Sequence, residues 1–282
     1  MSETAELEAV NHTRDLCLEA LRREPSALIT DIDGTISEVA PTPEEAVVLP
    51  EACAALDRLR HSLALVAVVT GRAARTGSAM LDLPDLLVIG NHGLEQMRGD
   101  SIWEHPDAVA AAGEIAMAID EIQEGMDRLA LGTGIIYENK RLSATVHYRL
   151  APDHGAAYSA LLPLAIETGK RRGLKVTEGR FIIELRPSVV VNKGTAIMDL
   201  IREYHLRGLV FCGDDITDID GFRAVGAARD AGTIAGVRIG VLAGETPIGV
   251  IEESDATVRG VDACAALLGQ LADYMERANE HA

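Results

Sequence analysis

Apolar and polar positions follow two rhythms along this chain, and the change of rhythm divides it. Residues 4–23 space Leu7, Val10, Leu18 and Leu21 among polar positions at helical intervals. Short, mostly apolar runs follow at 27–30, 63–69, 86–89, 209–212 and 238–242, with helical stretches such as 50–59 and 194–204 between most of them. Such strands, alternating with helices, predict a parallel sheet covered on both faces. Each run ends in a polar or glycine-rich turn: Asp31, Thr70-Gly71-Arg72, Gly90-Asn91-His92-Gly93, Gly213-Asp214-Asp215 and Ala243-Gly244. Parallel sheets bind ligands beyond the carboxyl ends of their strands, so one pocket would collect these turns.

The middle of the chain reads differently. A helix over 107–131 leads to a hairpin, 135–139 and 143–149, turning at Lys140-Arg141-Leu142. Its second strand alternates, with Ala144, Val146 and Tyr148 on one side and Thr145 and His147 on the other. A helix over 153–172 leads to a second pair, 174–177 and 181–185, around Glu178-Gly179-Arg180. Helix–strand–strand, twice, predicts a small α+β module inserted into an α/β core. The expected division is core 1–106, cap 107–187, core 188–282, closed by a helix over 261–277.

Composition narrows the partners. Hydrophobic residues make up 48% and aromatics only 3%, so the core is built from Ala, Val, Leu and Ile. A formal charge of −18 argues against nucleic acid or an anionic membrane as the main partner, while leaving room for an anion in a local cationic pocket. The four cysteines (Cys17, Cys53, Cys212, Cys264) follow no metal spacing and read as reduced thiols. The acidic start MSETAELEAV lacks a signal-peptide core, and the run at 63–69 is too short to span a bilayer. The expectation is a soluble cytoplasmic protein acting on a small molecule. Its oligomeric state is not legible, and a monomer suffices for this reading.

Four motifs carry the candidate chemistry: Asp31-Ile32-Asp33-Gly34-Thr35, Thr70-Gly71-Arg72, Lys193, and Gly213-Asp214-Asp215-Ile216-Thr217-Asp218. Singly each is weak, since DxD turns and lysines are common. In this order, on this strand pattern, they resemble the haloacid dehalogenase superfamily of aspartyl-phosphate enzymes. That resemblance implies Asp31 as nucleophile and Asp33 as general acid and base. It also implies Mg2+ held by Asp31, Asp214 and the Asp33 carbonyl. Thr70 and Lys193 would hold phosphate oxygens, with Asp215 and Asp218 orienting the ligands and Lys193. Gly34 would allow close backbone approach, beside Thr35 and Gly71 in the substrate loops. Asp218 would equally serve as a helix cap.

By the same resemblance, a cap inserted between the second and third motifs is implied to be of the sugar-phosphate type. The strings Val69-Thr-Gly-Arg72, Gly90-Asn-His-Gly93-Leu-Glu95, Glu138-Asn-Lys140, His147-Tyr-Arg149, Gly179-Arg-Phe-Ile-Ile-Glu184-Leu-Arg-Pro187, Lys193-Gly194 and Gly213-Asp-Asp-Ile-Thr-Asp218 are similar, in order, to trehalose-6-phosphate phosphatases. This implies hydrolysis of trehalose 6-phosphate to trehalose and phosphate. Sugar hydroxyls call for carboxylates and cationic donors. Glu138, Lys140, Arg180, Glu184 and Arg186 would meet the sugar, with His147 and Arg149 nearby; a solvated sheet face, or a histidine packed within the cap, is the plain alternative. Asn91, His92 and Gly93 would form a substrate-side loop, and Arg72 would stabilise a closed cap or touch substrate. Cap closure would hinge near 103–107 and 186–191. The chain departs from the family at Ile32 (usually aromatic), Ile219 (usually glutamate) and Arg180 (often lysine). Other readings are a phosphatase for sucrose, glucosylglycerol or mannosylglycerate phosphates, a phosphomutase, or a silent binding protein on the same fold.

Overall fold

The computed structural model describes residues 3–244 and 246–280. In chain order the first elements are α1 (Glu3–Leu21), β1 (Ser26–Thr30), α2 (Pro50–Leu59), β2 (Leu65–Val69), α3 (Ala74–Leu81), β3 (Leu87–Gly90), β4 (Glu95–Arg98) and β5 (Ser101–Glu104). Then come α4 (Pro106–Arg128), β6 (Ile136–Asn139), β7 (Ala144–His147), α5 (His154–Arg172), β8 (Leu174–Gly179) and β9 (Ile182–Pro187). The last are α6 (Lys193–Glu203), β10 (Gly208–Gly213), α7 (Asp218–Asp230), β11 (Ala235–Leu242), α8 (Ile248–Glu253), β12 (Ala256–Arg259) and α9 (Gly260–Glu280). The chain forms two compact units, residues 1–102 with 191–282, and residues 103–190.

The larger unit is built on a sheet of order β12-β11-β10-β1-β2-β3-β4-β5. Pairing is parallel from β12 to β3, and β4 runs antiparallel to β3. Side-chain alternation explains why β1 and β2 are apolar throughout. Leu28, Val66 and Val68 pack with α1, α2 and α9 on one face; Ala27, Ile29, Leu65, Ala67 and Val69 pack with α6 and α7 on the other. A strand covered on both sides has no position for a polar residue. The chain winds from β1 to β2 and β3 in one direction, then returns at β10 on β1's other side and winds away. The topological switch therefore falls at the end of β1, where such sheets open a crevice.

The smaller unit is a four-stranded antiparallel sheet, β6-β7-β9-β8, on α4 and α5. Ala144, Val146, Ile183 and Leu185 face the helices with Ile115, Ile119, Leu161 and Ala165. Tyr148 joins them, as the alternation predicts. Asp153 caps α5 by accepting from the Ala156 N–H at 2.9 Å, and Gly173 ends it at φ 67°.

Several boundaries differ from the sequence reading. The helix expected to 131 stops at Arg128. The second cap turn is not centred on Gly179. That residue pairs with Ile182, so Arg180 and Phe181 make a two-residue loop, and Phe181 takes the left-handed conformation, φ 59°. Its ring packs on Tyr148 and His154, which offsets the backbone cost. β4, β5 and β12 escape the apolar pattern because they lie at or next to the sheet's two ends, where polar residues such as Gln96, Arg98 and Arg259 are tolerated. No helix among the described residues is long and apolar enough to cross a membrane.

Candidate active site

β1 passes its last ladder bond to Asp31, whose N–H donates to the Cys212 carbonyl at 3.0 Å. Beyond it the chain turns tightly. Ile32 is fully buried, its carbonyl accepts from Ile36 and Ser37, and Gly34 sits at φ 82°. A side chain at Gly34 would place Cβ 2.0 Å from Asp214 Oδ2, so only glycine fits there. Thr35 Oγ1 donates to Asp214 Oδ1 at 2.8 Å and ties this turn to the end of β10.

Lys193 opens α6 behind an Asn192–Thr195 capping box and is 1% exposed. Its ammonium lies 2.8 Å from Asp31 Oδ2 and 2.7 Å from Asp218 Oδ1. Asp218 is fully buried at the start of α7, and its Oδ2 accepts the Asp214 and Asp215 N–H groups, each at 3.1 Å. Asp218 thus orients Lys193 and ties down the loop ahead of α7, but it is not the helix cap the sequence allowed: Thr217 holds the N-cap position without a side-chain cap bond, and Asp218 is the first helical residue, its Oδ2 turned back to N–H groups before the helix. Asp31, Asp214 and Asp218 each offer an oxygen within 4.8 Å of the others. Both Asp218 oxygens are engaged, whereas Asp31 Oδ1 is buried with no hydrogen-bond partner. An orphaned oxygen on a carboxylate that belongs to this cluster of three suits a hard, oxygen-seeking divalent cation.

Electrostatics follow from burial. Desolvation pushes the Asp31 carboxyl up to about 7, against the pull of Lys193 and with the push of Asp218. Burial, then Asp218 and Asp31, push Asp214 up as well. Burial acts downward on Lys193, but Asp218 and Asp31 outweigh it and hold the ammonium above its ordinary value, so it stays charged.

A second cluster stands at the end of β2. Thr70 is buried, and its Oγ1 accepts from the Arg72 N–H at 3.2 Å. Arg72 grips Asp33 with Nε and Nη2, both bonds 2.7 Å, and donates through Nη1 to the Pro43 carbonyl at 2.9 Å. Asn91 and His92, both at positive φ, hang from this corner: Asn91 N–H donates to the Arg72 carbonyl and His92 N–H to that of Thr70. The His92 ring fills the space a side chain at Gly71 would take, 2.6 Å from its Cβ, and Gly93 follows at φ 114°. Sequence reasoning missed two partners here. Buried Glu95 accepts from Asn91 Nδ2 at 2.6 Å and from the Ala74 N–H at 2.9 Å, fixing the loop. The string that contains Glu95 flagged the position but no role. The Arg72–Asp33 pair had no signal at all.

The cap residues form their own group in the smaller unit. Register puts Glu138, Thr145, Glu184 and Thr177 in one row across the sheet, on the face away from the helices. Lys140, His147 and Arg186 share that face. Lys140 Nζ lies 3.4 Å from Glu184 Oε1, Arg186 Nε 4.0 Å from Glu184 Oε2, and His147 Nε2 3.0 Å from Glu138 Oε2. Arg149 belongs to the hairpin tip instead, over the Phe181 ring and bonded to the Arg180 carbonyl at 3.4 Å.

The family model for trehalose-phosphatase matches residues 29–247. The trehalose-phosphate phosphatase of Mycobacterium marinum is 36% identical over 206 residues, 71% of this chain and 51% of that protein. Its Mycobacterium avium counterpart is 33% identical over 261 residues, 89% of this chain and 63% of that protein. The chain thus spans about half the length of the curated relatives it matches first. Among solved structures, a trehalose-6-phosphate phosphatase related protein superposes with TM-score 0.72 at 24% identity, covering 89% of this chain and 99% of that one. The C-terminal domain of the Candida albicans trehalose-6-phosphate phosphatase gives 0.74 at 18%, covering 94% and 96%. Those two likenesses establish the fold, an α/β core on a mainly parallel sheet. With the family model spanning most of the residues and all four motifs inside it, the chain belongs to the trehalose-phosphatase family.

Proposed function

We propose that this chain hydrolyses trehalose 6-phosphate to trehalose and phosphate through an aspartyl-phosphate on Asp31. The observation that carries the reading is the state of Asp31: one oxygen held by a buried lysine, the other buried and unpaired, in a cluster with Asp214 and Asp218. A carboxylate fixed in that way is a poor structural element and a well-aimed nucleophile. The Asp31 carboxylate attacks phosphorus, the ester P–O bond breaks, and Asp33 gives its proton to the departing sugar alkoxide. Asp33 then takes a proton from water, which attacks the aspartyl-phosphate and frees Asp31 and inorganic phosphate. Lys193 stabilises charge on Asp31 and on the phosphoryl oxygens, and Thr70 supplies a hydroxyl at the end of β2.

Asp31 and Asp214, with the Asp33 carbonyl, would hold Mg2+. Bound there, the ion would keep both carboxylates ionised and screen them from the phosphate dianion. Residues 103–190 act in this proposal as the specificity unit. Glu138, Lys140, Glu184 and Arg186 on the polar sheet face supply the paired acceptors and donors that sugar hydroxyls need. Phosphate release across a panel of trehalose, sucrose, glucosylglycerol and mannosylglycerate phosphates, with and without magnesium, tests the proposal. Magnesium-dependent turnover that favours trehalose 6-phosphate is expected. Preference for another ester removes the substrate assignment, and absence of release from every ester removes the reaction.

A further inference from the structure

Arg72 is anchored at more points than an ordinary ion-pair partner. Its side chain is 11% exposed, while that of Asp33, which it grips, is 34% exposed. Nη1 is spent on the Pro43 carbonyl, its N–H on Thr70 Oγ1, and its carbonyl takes the Asn91 N–H at 2.7 Å. The arginine is therefore the fixed member of the pair and the aspartate the presented one. Asp33 follows Ile32 in a tight turn, bridged to Ser37 and next to a glycine at φ 82°, which fixes its backbone and leaves the twist of the carboxylate to its partner. The two parallel N–H···O bonds fix the plane of that carboxylate. Each oxygen keeps a second lone pair, so the plane decides the direction from which a proton is given or taken.

We propose that Arg72 is a positioning residue that acts through Asp33, setting the carboxylate plane from which protons pass to the leaving alkoxide and from the attacking water. This rests on the reading of Asp33 as acid and base in the hydrolysis proposed above. The forked geometry carries the effect, and a lysine in its place keeps the charge without the fork.

The test is a kinetic cycle on the full chain with magnesium. Wild type, Arg72→Ala, Arg72→Lys, Asp33→Asn and both double variants are compared on trehalose 6-phosphate and on p-nitrophenyl phosphate. Both Arg72 variants should lose about 10²-fold in kcat on the sugar ester, at the low end of acid–base catalysis, with KM within about threefold. In the Asp33→Asn background each should cost less than about twofold more, because the partner is already gone. On the aryl ester, whose leaving group departs without a proton, they should keep a full first-turnover burst of p-nitrophenolate and then turn over slowly. A raised KM with kcat kept would make Arg72 a substrate contact and overturn the proposal. So would recovery of kcat by Arg72→Lys, a full additive loss in the Asp33→Asn background, or a burst reduced in proportion to lost folded protein. A wild-type protein inert on both esters removes the hydrolysis reading itself, and this inference with it, before any variant is compared.

Discussion

Replacing Lys193 with methionine isolates the electrostatics of the site from its packing. Methionine fills the channel of the lysine stem but carries no charge. The change leaves Asp31 and Asp218, 7% and 0% exposed at their side chains, without the ammonium that lay 2.8 and 2.7 Å away. Removing one partner of a buried ion pair costs about 3–5 kcal/mol, because the remaining charge has neither water nor a counter-charge. Protonation sets a ceiling: a carboxylate that ionises near ~3.9 in the unfolded chain is held neutral at pH 7 for about 4 kcal/mol. The pH dependence follows from Asp31, which burial already pushes up to about 7. Below that value the wild-type and variant folded states both hold the Asp31 proton, so their stabilities change with pH in parallel. Above it, wild-type Asp31 ionises against Lys193, while the variant keeps a proton that its unfolded state releases. The deficit of the variant therefore widens as pH rises through 7. Thermal unfolding in chelator at pH 6, 7 and 8 should show a loss of roughly 6–20 °C at pH 8 and less at pH 6, at about 2–4 °C per kcal/mol. A variant melting within about 1 °C of wild type at every pH would refute the reasoning, since the buried carboxylates would then have no need of Lys193.

Asp31→Asn should abolish phosphate release while leaving the melting temperature within a few degrees of wild type, because the amide keeps a hydrogen-bonding oxygen toward Lys193; phosphate assay and calorimetry check both halves. Gly34→Ala should lower magnesium affinity and turnover together, since its Cβ would fall 2.0 Å from Asp214 Oδ2 at a φ of 82°; titration calorimetry with magnesium that matches wild type would contradict it. Asp255, at the edge between β11 and β12, accepts from Arg238 and Arg229 and, despite partial burial, is held below the usual carboxylate range. Asp255→Asn should cost about 1–3 kcal/mol at pH 7. A lowered folded value means that contribution is complete above ~3.9 and fades as pH falls through the folded value, so urea midpoints of variant and wild type should converge once pH lies below the folded value.

What could be read from sequence alone tracks how local the physical cause is. The β1 and β2 runs announce themselves because both faces are covered and every side chain must be apolar. The alternation of Ala144, Val146 and Tyr148 marks a strand with one wet face. β4 and β12 lack such a signal because they lie near the sheet's ends and tolerate Gln96, Arg98 and Arg259. The cap turn at Arg180-Phe181 was unreadable for a related reason. Phe181 takes a conformation that glycine usually supplies, and what holds it is ring packing on Tyr148 and His154, 33 and 27 residues earlier in the chain.

The site divides along the same line, and strand register is what completes it. Each motif was visible as polar residues after an apolar run, but the distance between two runs says nothing about their alignment in space. In the folded sheet Ala27 lies level with Leu65, which brings Arg72 one residue past the level of Asp33. Thr30 lies level with Cys212, which brings Asp214 one residue past the level of Asp31. Val69 lies level with Ile89, so Asn91 and His92 stand where the Thr70 and Arg72 carbonyls can receive their N–H groups. A shift of one strand by two residues would keep every apolar side chain on its own face and yet separate Asp33 from Arg72 and Asp214 from Asp31. The buried contacts that forbid the shift, such as Ile32 and Ile36 against Val68 and Ala74 in one cluster, are therefore as much a part of the site as the carboxylates they align.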